Sequence, residues 1–175
     1  VRNPGAARKA VLYLFALIIP MLFAGCGYHI AGKSGTMPGG IKDVTIPVFV
    51  NSTAKPNIEG IISSTFVREF LTTLNVNENA GAVINGVIKS YSLKGVSFTN
   101  TDVTKEYRLT VIVSIILRDK KDGHVLWADN NITDYEDFRV DTADVTRTEE
   151  VEIEVFKKLS KDLARRIKER MLDGF

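Results

Sequence analysis

The chain has 175 residues, 45% hydrophobic and 25% charged, which excludes a disordered or fibrous polymer and fits one ordinary domain with a short extra segment. The formal net charge of +2 is unevenly spread: Arg2, Arg8 and Lys9 lie in an acid-free stretch of 25 residues, leaving 20 bases against 21 acids beyond it, so a globally basic nucleic-acid binder is not indicated. A single cysteine excludes a disulfide scaffold and every zinc site that needs several thiolates.

Residues 1–25 read as an export signal, with a basic start, an apolar run over 11–23 and the small pair Ala24-Gly25. The run is shorter than the roughly 20 residues of a membrane span, and Pro20 would weaken a permanent one. Leu22-Phe23-Ala24-Gly25-Cys26 resembles the bacterial lipobox, in which the thiol is acylated and the cysteine becomes the new N-terminus. The expected modification is a covalent N-acyl diacylglycerol anchor on Cys26, with several chains (palmitate among them) because one alone holds a membrane only marginally. Residues 26–43 are rich in glycine and read as a lipidated tether, leaving residues 44–175 as the domain.

Within that domain residues 44–49 alternate as a first strand, which Pro47 confines to a sheet edge or a bulge. A helix over 57–75 follows, with Ile58, Ile61, Ile62, Phe66, Phe70, Leu71 and Leu74 on one stripe. Ala82 opens a strand that either ends near Tyr91 or runs on past Leu93, Val96 and Phe98, with Gly86 marking a bulge. Residues 99–104 read as a turn or a disordered hairpin tip. The strongest strand covers 107–117, where Tyr107, Leu109, Val111, Val113, Ile115 and Leu117 share one face. Asp122-Gly123 signals a tight hairpin into a partner strand over 124–138. Thr146-Arg147-Thr148-Glu149 fits a capping box for a last helix, whose stripe is Ile153, Phe156, Leu159, Leu163, Ile167 and Met171 or Leu172. The sum is an α+β fold with two helices packed on one face of a four-stranded mixed β-sheet, in the order β-α-β-β-β-α.

The second face of the central strand carries Arg108, Thr110, Ile112, Ser114, Ile116 and Arg118. Ile112 and Ile116 put apolar mass on a face that helices do not cover, as scattered surface residues or as a surface for a partner or an acyl ligand. Catalytic chemistry is not in evidence. His29 and His124 have no ligand-spaced companion, and no phosphate-binding loop, nucleophile elbow or dinucleotide fingerprint occurs. Asp134, Glu136, Asp137, Asp141 and Asp144 have no EF-hand spacing and read as a solvated acidic loop.

Cys26-Gly27-Tyr28-His29-Ile30 and the segment Ile46-Pro47-x-Phe49-x-Asn51-x-Thr53 resemble the LPS-assembly lipoprotein LptE family. So do Ile58-Glu59, Arg68-Glu69-Phe70-Leu71, Tyr107-Arg-Leu-Thr-Val-Ile-Val and Gly123-His-Val-Leu-Trp127. The resemblance implies a non-enzymatic outer-membrane lipoprotein on the periplasmic side of a Gram-negative-type bacterium. It would plug an LptD-type β-barrel, assist that barrel's assembly, and bind lipopolysaccharide for delivery to the outer leaflet. Nucleic acid, metal and cofactors other than the lipid anchor are not implied. By position, Lys120 and Lys121 at the hairpin, then Lys94 and Arg108, are the expected lipopolysaccharide contacts, because phosphates beside acyl chains call for cations beside apolar surface. Ile112 and Ile116 are the expected partner-facing residues. The alternative is a stand-alone periplasmic lipid-binding or carrier lipoprotein.

Overall fold

A computed structural model describes residues 37–98, 104–139 and 145–173; the leader, Cys26, His29, Asp141 and Asp144 lie outside the described residues. After a single 3-10 turn at Pro38–Gly40 come β1 (Asp43–Thr45), β2 (Val50–Asn51), α1 (Ile58–Phe70), β3 (Asn75–Val76), β4 (Ala82–Phe98), β5 (Thr104–Asp119), β6 (Val125–Arg139) and α2 (Val145–Asp173). The sheet runs β3-β1-β4-β5-β6, with β2 as a sixth strand on β4. Pairs among β1, β2, β3 and β4 are parallel, and β4-β5-β6 form an antiparallel meander.

Among the described residues the sheet therefore has six strands, not four, and the chain order is β-β-α-β-β-β-β-α. Two local events cause the difference. Pro47 has no N–H to give to a ladder, so the expected first strand breaks into β1 and β2. In the gap the Phe49 N–H turns inward and donates to Ser63 Oγ on α1 at 2.8 Å. Beyond α1 the chain comes back beside β1 as β3, pairing Asp43 with Asn75 and Val44 with Val76. The outer strand is thus β3, and β1 lies inside it.

The helix boundaries also move. α1 stops at Phe70 rather than running to residue 75, because the N–H groups of Thr72, Thr73 and Leu74 turn to the carbonyls of Glu69 and Phe70. Leu71, expected in the apolar stripe, is 53% exposed as a result. α2 already includes Val145, so Thr146 lies within the helix and is not its cap. β4 is one long strand whose register slips between Ile88 and Ser90 and twice more between Gly95 and Phe98, but not at Gly86. Gly86 has another reason to be there: a Cβ at that position would sit 2.4 Å from two carbons of the Phe49 ring.

The core is one continuous cluster. Alternate β5 residues Leu109, Val111, Val113, Ile115 and Leu117 are fully buried, as the period-two pattern predicts. Against them pack Ile58, Ile62, Phe66 and Phe70 of α1 and Phe156, Leu159, Leu163 and Ile167 of α2. Phe49 meets Phe66 edge-on at 4.8 Å, and Tyr91 meets Phe156 likewise at 5.5 Å. Both helices serve one sheet face, and their C-terminal ends converge with Met37, Ile41 and Leu172 at the end we term the base.

Candidate partner and lipid interface

The base holds the entry of the described chain and the β5–β6 turn. Met37 is buried there, Gly39 packs against Leu126, and the Lys120 N–H donates to the Gly81 carbonyl. At the opposite end the β4–β5 hairpin and the end of β6 form an arm. On β4 the apolar Leu93 and Val96 are 36% and 43% exposed, since α1 begins below them.

The four cations expected from the sequence do not form one cluster. Lys94 and Arg108 are cross-strand partners on the arm. Lys120 and Lys121 are at the base, twelve positions along from Arg108, which is roughly 40 Å of extended strand. Lys120 is also internally engaged: its ammonium donates to Thr45 Oγ1 at 2.7 Å and to the Glu78 carbonyl at 3.0 Å, tying the turn to the segment after β3. Lys121 is exposed, and its backbone N–H is held by Asp119 Oδ1.

Arg108 belongs to a small cluster on the open sheet face. Its guanidinium donates through Nε and Nη2 to the two carboxylate oxygens of Asp137 at 2.7 and 2.8 Å, and lies 4.3 Å from the Tyr135 ring centroid. Hydrogen bonding to Arg108 holds the Asp137 carboxyl below its ordinary range, and the same bond raises the Arg108 pKa. Successive rungs toward the base are Ser92–Thr110–Tyr135, Ser90–Ile112–Thr133 and Asn85–Ile116–Ala128. Ile112 and Ile116 are half-buried by those neighbours alone, on the face opposite the helices. Between them Ser114 Oγ donates to Asn130 Oδ1 at 2.9 Å, and Lys89 reaches across to the Asn130 carbonyl at 3.1 Å. The result is a mixed surface, with Tyr135 55% exposed and a neutralised arginine above two aliphatic rungs.

The acidic stretch is not a solvated loop where it is described. Asp134, Glu136 and Asp137 are strand residues of β6, and each is ion-paired: Asp134 with Arg166, Glu136 with Lys158, Asp137 with Arg108. Asp129 pairs with Arg170, whose guanidinium also lies near the Trp127 ring. Lys158, Arg166 and Arg170 of α2 thus meet Glu136, Asp134 and Asp129 along β6. The sequence alone does not pair those cations with these acids, and the cross-element register supplies their partners. Among the described residues there is no group of three metal-ligating side chains. His124 is exposed at the turn, its N–H held by Asp122 Oδ1.

A sequence model of the LptE lipopolysaccharide-assembly family matches residues 41–171, three quarters of the chain. The chain belongs to the LptE family. No curated protein matches it significantly. Among solved structures it resembles uncharacterized lipoprotein B from Nitrosomonas europaea, at 17% identity and a TM-score of 0.56, covering 85% of this chain and 92% of that one. Protein XCC0632 from Xanthomonas campestris is similar at 10% identity and a TM-score of 0.55, covering 83% and 89%. At such identities these likenesses show the shared fold, and membership in the LptE family rests on the sequence match.

Proposed function

We propose that this LptE-family chain is a non-enzymatic subunit of a lipopolysaccharide translocon, acylated at Cys26, held on the periplasmic side of the outer membrane and seated in an LptD-type β-barrel. The observation that carries the reading is the open sheet face, where the Arg108–Asp137–Tyr135 cluster adjoins the aliphatic rungs of Ile112 and Ile116. A polar wall with aromatic and aliphatic anchors is the composition of a protein interface, and a helix-free sheet face offers the breadth one needs.

The arm supports the second half of the reading. Lys94 and Arg108 pair across β4 and β5 on the open face, Leu93 and Val96 of the same hairpin are exposed, and these cations and apolar side chains would meet lipopolysaccharide phosphates and acyl chains. Lys120 and Lys121 lie at the base, outside that contact. A carrier would need a chamber for an acyl chain, but the space between sheet and helices is filled by Phe66, Phe70, Phe156 and Leu163.

The test is capture of the tagged, full-length chain from detergent-solubilised outer membranes. The wild type is expected to bring down a large barrel protein, and Ile112→Asp to lose it while keeping a near-normal melting temperature. Absence of any barrel from the wild-type eluate would overturn the proposal; equal loss of assembly and stability would make Ile112 a core residue.

A further inference from the structure

A groove of about 590 Å³ runs between α1 and α2 on the side away from the sheet, lined by Thr65, Arg68, Glu69, Lys157, Lys158 and Lys161. Its two other charges are internally settled. Glu69 is bound by Lys168 at 2.6 Å, and Lys158 is bound by Glu136 on β6. That leaves Arg68, Lys157 and Lys161 without an acidic partner among the described residues. Among the described residues the Arg68 guanidinium donates only to Thr65 Oγ1, at 3.1 Å. Glu154, one turn earlier on α2, pairs with none of them. Three like charges on facing helices repel one another, a cost that an anion in the groove would relieve.

We infer that this interhelical groove is a binding site for a phosphate-bearing ligand, with Arg68, Lys157 and Lys161 as its cationic contacts. The chemistry favours phosphate over a peptide segment. An arginine fork with two lysine point charges suits a tetrahedral oxyanion, and the lining offers no exposed aromatic or aliphatic anchor of the kind a protein partner needs. A concave space of this size also matches a compact headgroup. The site lies on the helix side, apart from the open sheet face, and stands whether or not that face meets a barrel. Its source of phosphate is either a lipid headgroup or a soluble phosphate, and the shared group is a terminal, anionic phosphate.

The experiment uses the full-length chain in non-ionic detergent, titrated at low salt with inorganic pyrophosphate and, separately, with micelles containing phosphatidic acid. The triple variant Arg68→Glu, Lys157→Glu, Lys161→Glu is expected to weaken binding at least ~tenfold and to flatten its salt dependence. The control pair Lys42→Glu, Lys89→Glu, exposed elsewhere, is expected to stay within about twofold of the wild type. Binding of both probes assigns the groove to phosphate as such, and binding of phosphatidic acid alone assigns it to a headgroup; either supports the site. Wild-type affinity in the triple variant, an equal loss in the control pair, or binding of neither probe overturns it. The neutral variant Arg68→Gln, Lys157→Gln, Lys161→Gln and a thermal melt guard against misfolding. Barrel capture by the triple variant is expected to be unchanged, which separates this site from the proposed translocon role.

Discussion

Replacing Gly86 with alanine tests how the broken first strand is locked to the sheet. In β4 the new methyl would lie 2.4 Å from Cδ2 and Cε2 of Phe49 and 2.6 Å from its Cγ, where carbon atoms prefer 3.5–4.0 Å. One of the two must move by about 1 Å. The ring has little room to do so: it is 2% exposed, meets Phe66 edge-on at 4.8 Å, and its own N–H is held by Ser63. Overpacking of this kind costs roughly 3 kcal/mol, and alanine recovers about 0.5–1 kcal/mol of strand preference over glycine. The net loss is about 2 kcal/mol, a fall in melting temperature of roughly 4–8 °C for a chain of this size. Circular-dichroism melts and urea unfolding of the full-length protein would measure it. Phe49→Leu in the same chain should relieve the clash, so that the double variant is less destabilised than the sum of the singles by about 1 kcal/mol or more. A Gly86→Ala protein as stable as the wild type, or strict additivity in the double variant, would refute the reasoning.

Lys168 ties α2 to the end of α1 by donating to the Glu69 carboxylate and carbonyl and to Thr72 Oγ1, so Lys168→Met should cost about 2 kcal/mol in urea unfolding. Burial, then the hydrogen bond to Glu152 at 2.6 Å, raises the Tyr91 phenol above its ordinary value, so its neutral form is favoured in the fold. The associated stability is complete below the unfolded pKa near 10 and is lost as pH rises beyond it; Tyr91→Phe should flatten the alkaline decline in stability relative to the wild type. Asp137→Asn would release Arg108 from its bidentate pair and should tighten lipopolysaccharide binding two- to fivefold at low salt if the arm is the contact, by roughly the strength of an exposed pair. Lys94→Glu with Arg108→Glu should weaken the same binding by at least ~tenfold without altering the melt, read by surface plasmon resonance.

Elements with internal periodicity are legible in the sequence alone. The β5 alternation and the α2 stripe are repeated signals inside single segments, and both elements bury the side chains expected of them except at their outer ends, where Tyr107 and Ile153 are only half-buried. Ile112 and Ile116 fall on the face without helices, as expected, because strand alternation assigns faces from sequence alone. The four candidate cations are not resolved into sites by sequence, since two hairpin ends look alike there and only the meander sets them roughly 40 Å apart. The groove between the helices gives no sequence signal. Arg68 and Lys157 are far apart in the chain, and each reads alone as an ordinary surface charge.

What the amino-acid order determined by itself was the class of the domain, most of its buried residues and its family, because hydrophobic period and local motifs are written within a few neighbouring residues. Tertiary structure decided the rest: that Pro47 splits a strand while Phe49 fills the space over Gly86, that β3 becomes the outer strand, and that the acids of β6 meet the cations of α2. Those outcomes depend on which distant segments arrive side by side and in what register. A charge or a missing N–H acquires its partner only there.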